Sequence, residues 1–128
     1  MSKQVIKTEK APSPIGPYNQ AIKANGMVYL SGQVAFVVET GELELSSIPA
    51  ETHQVMKNLK AVLEEARLTF AHVVKTTIFL SDMALFAQVN EVYGTYFSGD
   101  YPARETVAVK GLPRGVNVEI SMIAVVDL

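Results

Sequence analysis

Between Ala50 and Leu80 the spacing of apolar residues changes period, and that change limits the folds open to the chain. Val55, Met56, Leu59, Val62, Leu63 and Ala66 recur at three- and four-residue steps, which draws one apolar stripe along a helix from about Ala50 to Arg67. Pro49 suits its first turn, and Glu51 lies where the positive end of the helix dipole favours an acid. Val73 to Leu80 then reads as a strand rich in β-branched residues. A second helix is expected behind a Ser81 or Asp82 cap, with Leu85, Phe86, Val89, Val92, Tyr93 and Tyr96 along its buried side. Gly99-Asp100 breaks that pattern.

The flanking segments read as strands. Gln4 to Thr8 is a short one, followed by the Ala11-Pro12-Ser13-Pro14-Ile15-Gly16-Pro17-Tyr18 stretch, an ordered but irregular loop. Gln20 to Ala24 and Met27 to Ser31 flank Asn25-Gly26, a strong signal for a two-residue type I′ hairpin. Gly32 to Val38 continues or bends the second of these strands, and Thr40-Gly41 turns again. Arg104 to Lys110 and Val116 to Val126 follow, joined by Gly111-Leu112-Pro113-Arg114-Gly115. The order is an α+β pattern in which both helices can lie on one sheet face, within one domain spanning residues 1–128. Val73-Val74, Ile78-Phe79-Leu80 and Ile120 to Val126 carry apolar residues towards both faces. A wet second face would exceed the apolar patch usual for a monomer, so a homo-oligomer is expected.

Composition removes several chemistries. No cysteine is present, which excludes disulfides, thiol nucleophiles and thiolate metal sites. The net charge is −2 with no basic block, so no nucleic-acid footprint is visible. The segment Met1 to Lys7 lacks the apolar centre of a signal peptide, and unbroken apolar runs are no longer than Val34 to Val38. A cytoplasmic protein without membrane association is the expectation. His53 and His72 have no partner at metal-ligand spacing, and Ser31-Gly32-Gln33 is not a nucleophile elbow. No glycine-rich phosphate loop leads into a helix.

Two groups stand out. Pro102 stiffens the approach to Arg104, whose planar, permanently charged fork matches a carboxylate. Such a residue is either an anion site or a strand-edge arginine reaching water. Glu119 interrupts a strand whose alternation puts Val118, Ile120, Met122 and Ala124 on one face. Its carboxylate must face water or a buried partner. If the last two strands pair antiparallel across their short connection, Glu119 and Arg104 fall in one region, with Tyr18 as a possible third member.

Ala11 to Gln20, Ser31-Gly32-Gln33, Asp82 to Asn90, Pro102-Ala103-Arg104 and Leu112-Pro113-Arg114 through Val118-Glu119-Ile120 occur in order, and together they resemble the reactive-intermediate deaminase family, RidA, called YjgF or endoribonuclease L-PSP in older naming. The resemblance covers nearly the whole chain. It implies a chorismate-mutase-like fold, with a mixed sheet of about six strands, two helices on one face, and homotrimers whose sheets form an inner barrel around intersubunit sites. It further implies hydrolysis of 2-imino acids, or enamines such as 2-aminoacrylate, to 2-oxo acids and ammonia, without cofactor or metal. These species arise from pyridoxal-phosphate dehydratases and damage other such enzymes.

By the same resemblance, Arg104 is the ligand of the substrate carboxylate and Glu119 holds the attacking water. Tyr18 and Asn90 line the cleft, and the Ser31-Gly32 backbone approaches ligand. Thr106 replaces a cysteine common in the family; its backbone N–H remains available to a carboxylate. The Ser98 to Tyr101 connection is short, and Arg67 stands where the first helix often ends in glycine. Two other functions compete: a non-catalytic sensor of 2-oxo or amino acids using the same cleft, and a ribonuclease, which the net acidity disfavours.

Overall fold

A computed structural model describes residues 2–128. Six strands form one mixed sheet in the order β1-β2-β3-β8-β6-β7, and two strands form a small separate ribbon, β4-β5. The elements are β1 (Gln4–Ile6), β2 (Ala21–Ala24), β3 (Met27–Gln33), β4 (Phe36–Val37), β5 (Glu42–Leu43), α1 (Ile48–Glu65), β6 (Val73–Leu80), α2 (Phe86–Gly94), β7 (Ala103–Ala108) and β8 (Val118–Val125). Asn25 and Gly26 take φ of 51° and 74°, the left-handed pair that a type I′ turn between β2 and β3 requires.

Helix α1 begins at Ile48, two residues before the expected Ala50, because the cap lies further upstream. The Ser47 hydroxyl accepts a hydrogen bond from Ala50 N at 3.1 Å, and Pro49 occupies the first turn. At its other end Arg67 adopts φ 63°, while Arg67 N and Leu68 N bond back to the carbonyls of Glu64 and Leu63, each at 2.9 Å. That is a Schellman closure built on a residue with a Cβ. Val55, Met56, Leu59, Val62 and Leu63 are fully buried, facing Val28, Leu30, Ile78, Leu80 and Ile120 across the interface. Asp82 caps a short turn of 3₁₀ helix, its carboxylate accepting from Ala84 N at 2.8 Å, and this turn feeds α2. Phe86, expected in the core, stands 37% exposed instead.

The last two strands do not pair. β6 runs parallel to β7 and antiparallel to β8, so β6 lies between them. The short Gly111–Gly115 link would permit a hairpin, but burial decides otherwise. Val118, Ile120, Met122 and Ala124 face the helices while Ile123 and Val125 load the other face, which suits a central strand. β7, with Arg104 and Glu105 side by side, suits an edge. On the uncovered face Val5, Tyr29 and Val107 remain 50%, 47% and 42% exposed.

Candidate functional site

The candidate residues fall into two clefts. The larger, about 500 Å³, opens where β8 begins and is lined by Tyr18, Ser31, Gly32, Arg114 and Glu119. Its wall is the proline-rich loop, held by the buried side chain of Gln20. The Gln20 amide oxygen accepts from Thr8 N at 2.7 Å, and its Nε2 donates to the carbonyls of Thr8, Ala11 and Pro12 at 3.0, 3.2 and 2.9 Å. One side chain thus satisfies the polar backbone of a segment with no strand partner. Ser31 closes the other side, its Oγ donating to Asn19 O at 2.6 Å.

Glu119 reaches into this cleft across a gap in β3. Leu30 pairs with Met122 and Gln33 with Ile120, so Ser31-Gly32 carries one extra residue as a bulge. A Cβ on Gly32 would collide with the Glu119 carboxylate, whose carbon would stand 2.9 Å away. Glycine is what leaves the acid its space. Half-burial without a compensating cation pushes the Glu119 carboxyl above the usual carboxylate range, because desolvation penalises the charged form.

The second cleft, about 420 Å³, lies between α2 and the start of β7 and is lined by Asn90, Tyr93, Tyr101 and Arg104. Arg104 Nη1 donates to Asn90 Oδ1 at 2.6 Å. Its guanidinium carbon sits 5.1 Å from the Tyr93 ring centroid and 5.6 Å from that of Phe86. The outward position of Phe86 is therefore that of a wall for the cation. Among the described residues the one ion pair is Lys75 with Glu105 at 3.1 Å, so the Arg104 fork has no acid of its own. A cation fixed by an amide and two rings, with donors left over, is built to receive an anion. Burial raises the Tyr93 phenol, which stays neutral and donates to Thr76 Oγ1 at 2.9 Å.

The two clefts lie on opposite sides of the sheet. Arg104 stands opposite Thr76, which stands opposite Met122, both buried on the helix side. Glu119 stands opposite Phe79, one step out of phase and on the open side. The structure thus joins Tyr18, Ser31, Gly32 and Glu119 in one cleft and Asn90 with Arg104 in another. The expected union of Arg104 and Glu119 within one region of the chain fails because β6 separates their strands. Thr106 shares the face of Arg104, and its hydroxyl is buried without a hydrogen-bond partner.

Three contributors escaped the sequence reading as site residues. Gln20 is the loop staple, Arg114 shares the cleft of Glu119 with its guanidinium 6.0 Å over the Phe36 ring, and Glu51 bonds the entrance of β8. The Arg114 signal was its place between Pro113 and Gly115; the other two look like ordinary helix and strand residues in one dimension. Both histidines serve structure. His53 Nδ1 meets Tyr96 Oη at 2.8 Å, and His72 Nδ1 accepts from Thr69 N at 3.1 Å.

Residues 8–126 match the family described as Endoribonuclease L-PSP. The chain is 47% identical over 123 residues to the mouse protein named 2-iminobutanoate/2-iminopropanoate deaminase, covering 96% of this chain and 91% of the mouse protein. A crystal structure of a protein of the Rid family from Yersinia pestis superposes with a TM-score of 0.94 at 49% identity, covering 97% of this chain and 99% of that one. The structure of TdcF from E. coli with bound serine gives a TM-score of 0.91 at 37% identity, covering 95% and 98%.

Proposed function

The chain belongs to the endoribonuclease L-PSP family, the Rid proteins, and from that premise we propose that it hydrolyses small 2-imino acids and their enamine tautomers to 2-oxo acids and ammonia. 2-Aminoacrylate, 2-iminopropanoate and 2-iminobutanoate are the substrates of choice, and pyridoxal-phosphate dehydratases the enzymes that release them. The observation that carries the reading is the division of complementary chemistry between two clefts. A carboxylate receptor without an anion, Arg104, lies on one side of the sheet, and a proton acceptor with a raised pKa, Glu119, on the other. Neither is a complete site.

Completion requires a second copy. In a ring of three protomers, the Arg104 cleft of each faces the Glu119 cleft of its neighbour, and no half-site is left unmatched. The exposed apolar residues of the open sheet face, Val5, Tyr29 and Val107, turn inward in such a barrel. The unpaired edge of β7 is covered by the same contact.

Within the joined site, Arg104 grips the substrate carboxylate, a charged contact with a net worth of about 1.5–3 kcal/mol. Asn90 and the rings of Tyr93 and Phe86 keep the fork in place, and the Thr106 backbone N–H is a further donor to the carboxylate. Tyr18 and the Ser31-Gly32 backbone enclose the imine end, and Glu119 takes a proton from water as its oxygen attacks C2. Glu119 passes that proton to the imine nitrogen, giving the carbinolamine; it then takes the C2 hydroxyl proton and delivers it to the amino nitrogen, so that the C–N bond breaks and ammonia leaves as the C2–O bond becomes the carbonyl. Each proton moved along the way passes through Glu119. Hydrolysis of these imines in water is already fast, so orientation and one base suffice.

A dehydratase-coupled assay of imine clearance tests the proposal. Arg104→Ala should raise the half-saturating imine concentration by roughly 10- to 150-fold, following from the strength of the charged contact, with the sedimenting mass still that of a trimer. Undiminished clearance by that variant, or a monomer in solution, would end it. The bound serine in the E. coli relative supports a second reading, a sensor of amino or 2-oxo acids without turnover. Under that reading Glu119→Gln leaves ligand binding and cellular effect intact; under the first it removes turnover. RNA cleavage is disfavoured by the net charge of −2.

A further inference from the structure

We propose that Glu51 is a positioning residue for Glu119, acting from the first turn of α1 through the entrance of β8. The inference rests on the hydrolytic reading above, in which Glu119 handles the water. Glu51 is 0% exposed, an acid in a chain whose other acids lie at the surface or half-buried. Its Oε2 accepts from Asn117 N at 2.8 Å and from Val118 N at 3.0 Å, and its Oε1 accepts from Asn117 Nδ2 at 2.8 Å. Two successive backbone donors and a side-chain amide converge on one carboxylate.

These bonds fall where the sheet holds β8 from one side only, through the pairing of Val118 and Glu119 with Leu80 and Phe79 of β6. The β3–β8 ladder stops at Gln33↔Ile120, one residue short of Glu119, because β3 itself ends at Gln33. On that side residues 117–119 have no strand partner, and the connection arriving at them contains two left-handed residues, Arg114 and Gly115. Asn117 is in turn tied to the end of β6, its carbonyl accepting from Ser81 N at 3.0 Å and its Oδ1 from Ser81 Oγ at 3.2 Å. The helix, the end of β6 and the start of β8 are thus locked two residues before Glu119. The direction in which Glu119 enters the space over Gly32 follows from that lock.

A role in folding alone would affect stability and leave turnover per folded molecule unchanged. The test is therefore steady-state imine hydrolysis with Glu51→Ala, Glu51→Asp and Glu51→Gln, beside Glu119→Gln. In Glu51→Asp the carboxylate retreats by about one C–C bond, ~1.5 Å, and cannot span both donors. The expected result is at least a tenfold fall in kcat for Ala and a smaller fall for Asp, with KM within twofold because Arg104 is untouched. Glu51→Gln should recover most of the loss, since its Oε1 keeps both backbone donors while the Asn117 amide turns to accept from Nε2. Wild-type kcat in folded Glu51→Ala overturns the proposal; should that variant not fold, wild-type kcat in Glu51→Asp does so. Unchanged kcat in Glu119→Gln would instead overturn the hydrolytic reading itself, and the two failures are told apart by that variant.

Discussion

Gly32→Ala displaces one carboxylate while leaving the fold around it nearly unchanged. Gly32 has no left-handed φ, so its backbone accepts alanine without strain. The new Cβ, however, would lie 2.9 Å from the carboxyl carbon of Glu119 and 3.1 Å from its Cγ. Carbon atoms rest at about 3.5–4.0 Å, so the acid must withdraw by roughly 0.5–1 Å. For folding this is a minor change. An off-rotamer side chain costs about 0.5–1.5 kcal/mol, offset by about 0.4–1 kcal/mol from the stiffer unfolded chain. For catalysis it is large, because a misplacement near 1 Å can cost about 100-fold in rate. The expected outcome in the dehydratase-coupled assay is a kcat lowered about 100-fold, a KM changed little because the grip of Arg104 on the substrate carboxylate is untouched, and a melting temperature moved by less than about 4 °C. Turnover equal to wild type would mean that Glu119 need not sit over Gly32, and the assignment of the base would be lost. A large fall in melting temperature would show that the space over Gly32 matters for packing and not for chemistry.

Glu119→Gln should separate activity from stability in opposite directions. Because the folded carboxyl titrates above its unfolded value, the native state holds the extra proton between the two; the stability this confers is full below the unfolded pKa and lost as pH rises through the folded one. At pH 7 the charged acid therefore weakens the fold, so the glutamine variant should melt higher there, with the advantage fading below about pH 4. A lower melting temperature at pH 7 would contradict this. Arg67→Gly should stabilise by about 0.5–1 kcal/mol: relief of the left-handed strain, about 1–2 kcal/mol, exceeds the 0.4–1 kcal/mol from a freer unfolded chain. Chemical denaturation reads it directly, and a destabilised variant refutes the account of the α1 terminus. Gln20→Ala should cost about 2–3 kcal/mol by stranding Thr8 N and several carbonyls. Trypsin should then cut after Lys10 far sooner than in the wild type, and an unchanged digestion rate would show that the loop does not depend on its staple.

The local elements were legible because they depend on contacts within a few residues. The α1 stripe, the β-branched run of β6, the Asn25-Gly26 turn and the alternation of β8 each state a period or a turn geometry that a reader of the chain can recover. The chemical types at the site were legible too, since a guanidinium behind Pro102 and an acid within an apolar strand are anomalies wherever they occur. The order of strands was not. Whether β8 lies beside β7 or crosses β6 to reach β3 depends on which strand can be buried on both faces, a comparison among segments far apart in sequence. That decision separates Arg104 from Glu119 by a strand, and the registers that pair Arg104 with Thr76 and Glu119 with Phe79 turn the two to opposite faces. The work of Gln20, Glu51 and Gly32 is hidden for the same reason: each acts on a neighbour 8 to 87 positions away, through hydrogen bonds or empty space that exist only after the layers close. Residue chemistry is a property of the chain, whereas the distance between two such chemistries is set by the packing of everything between them.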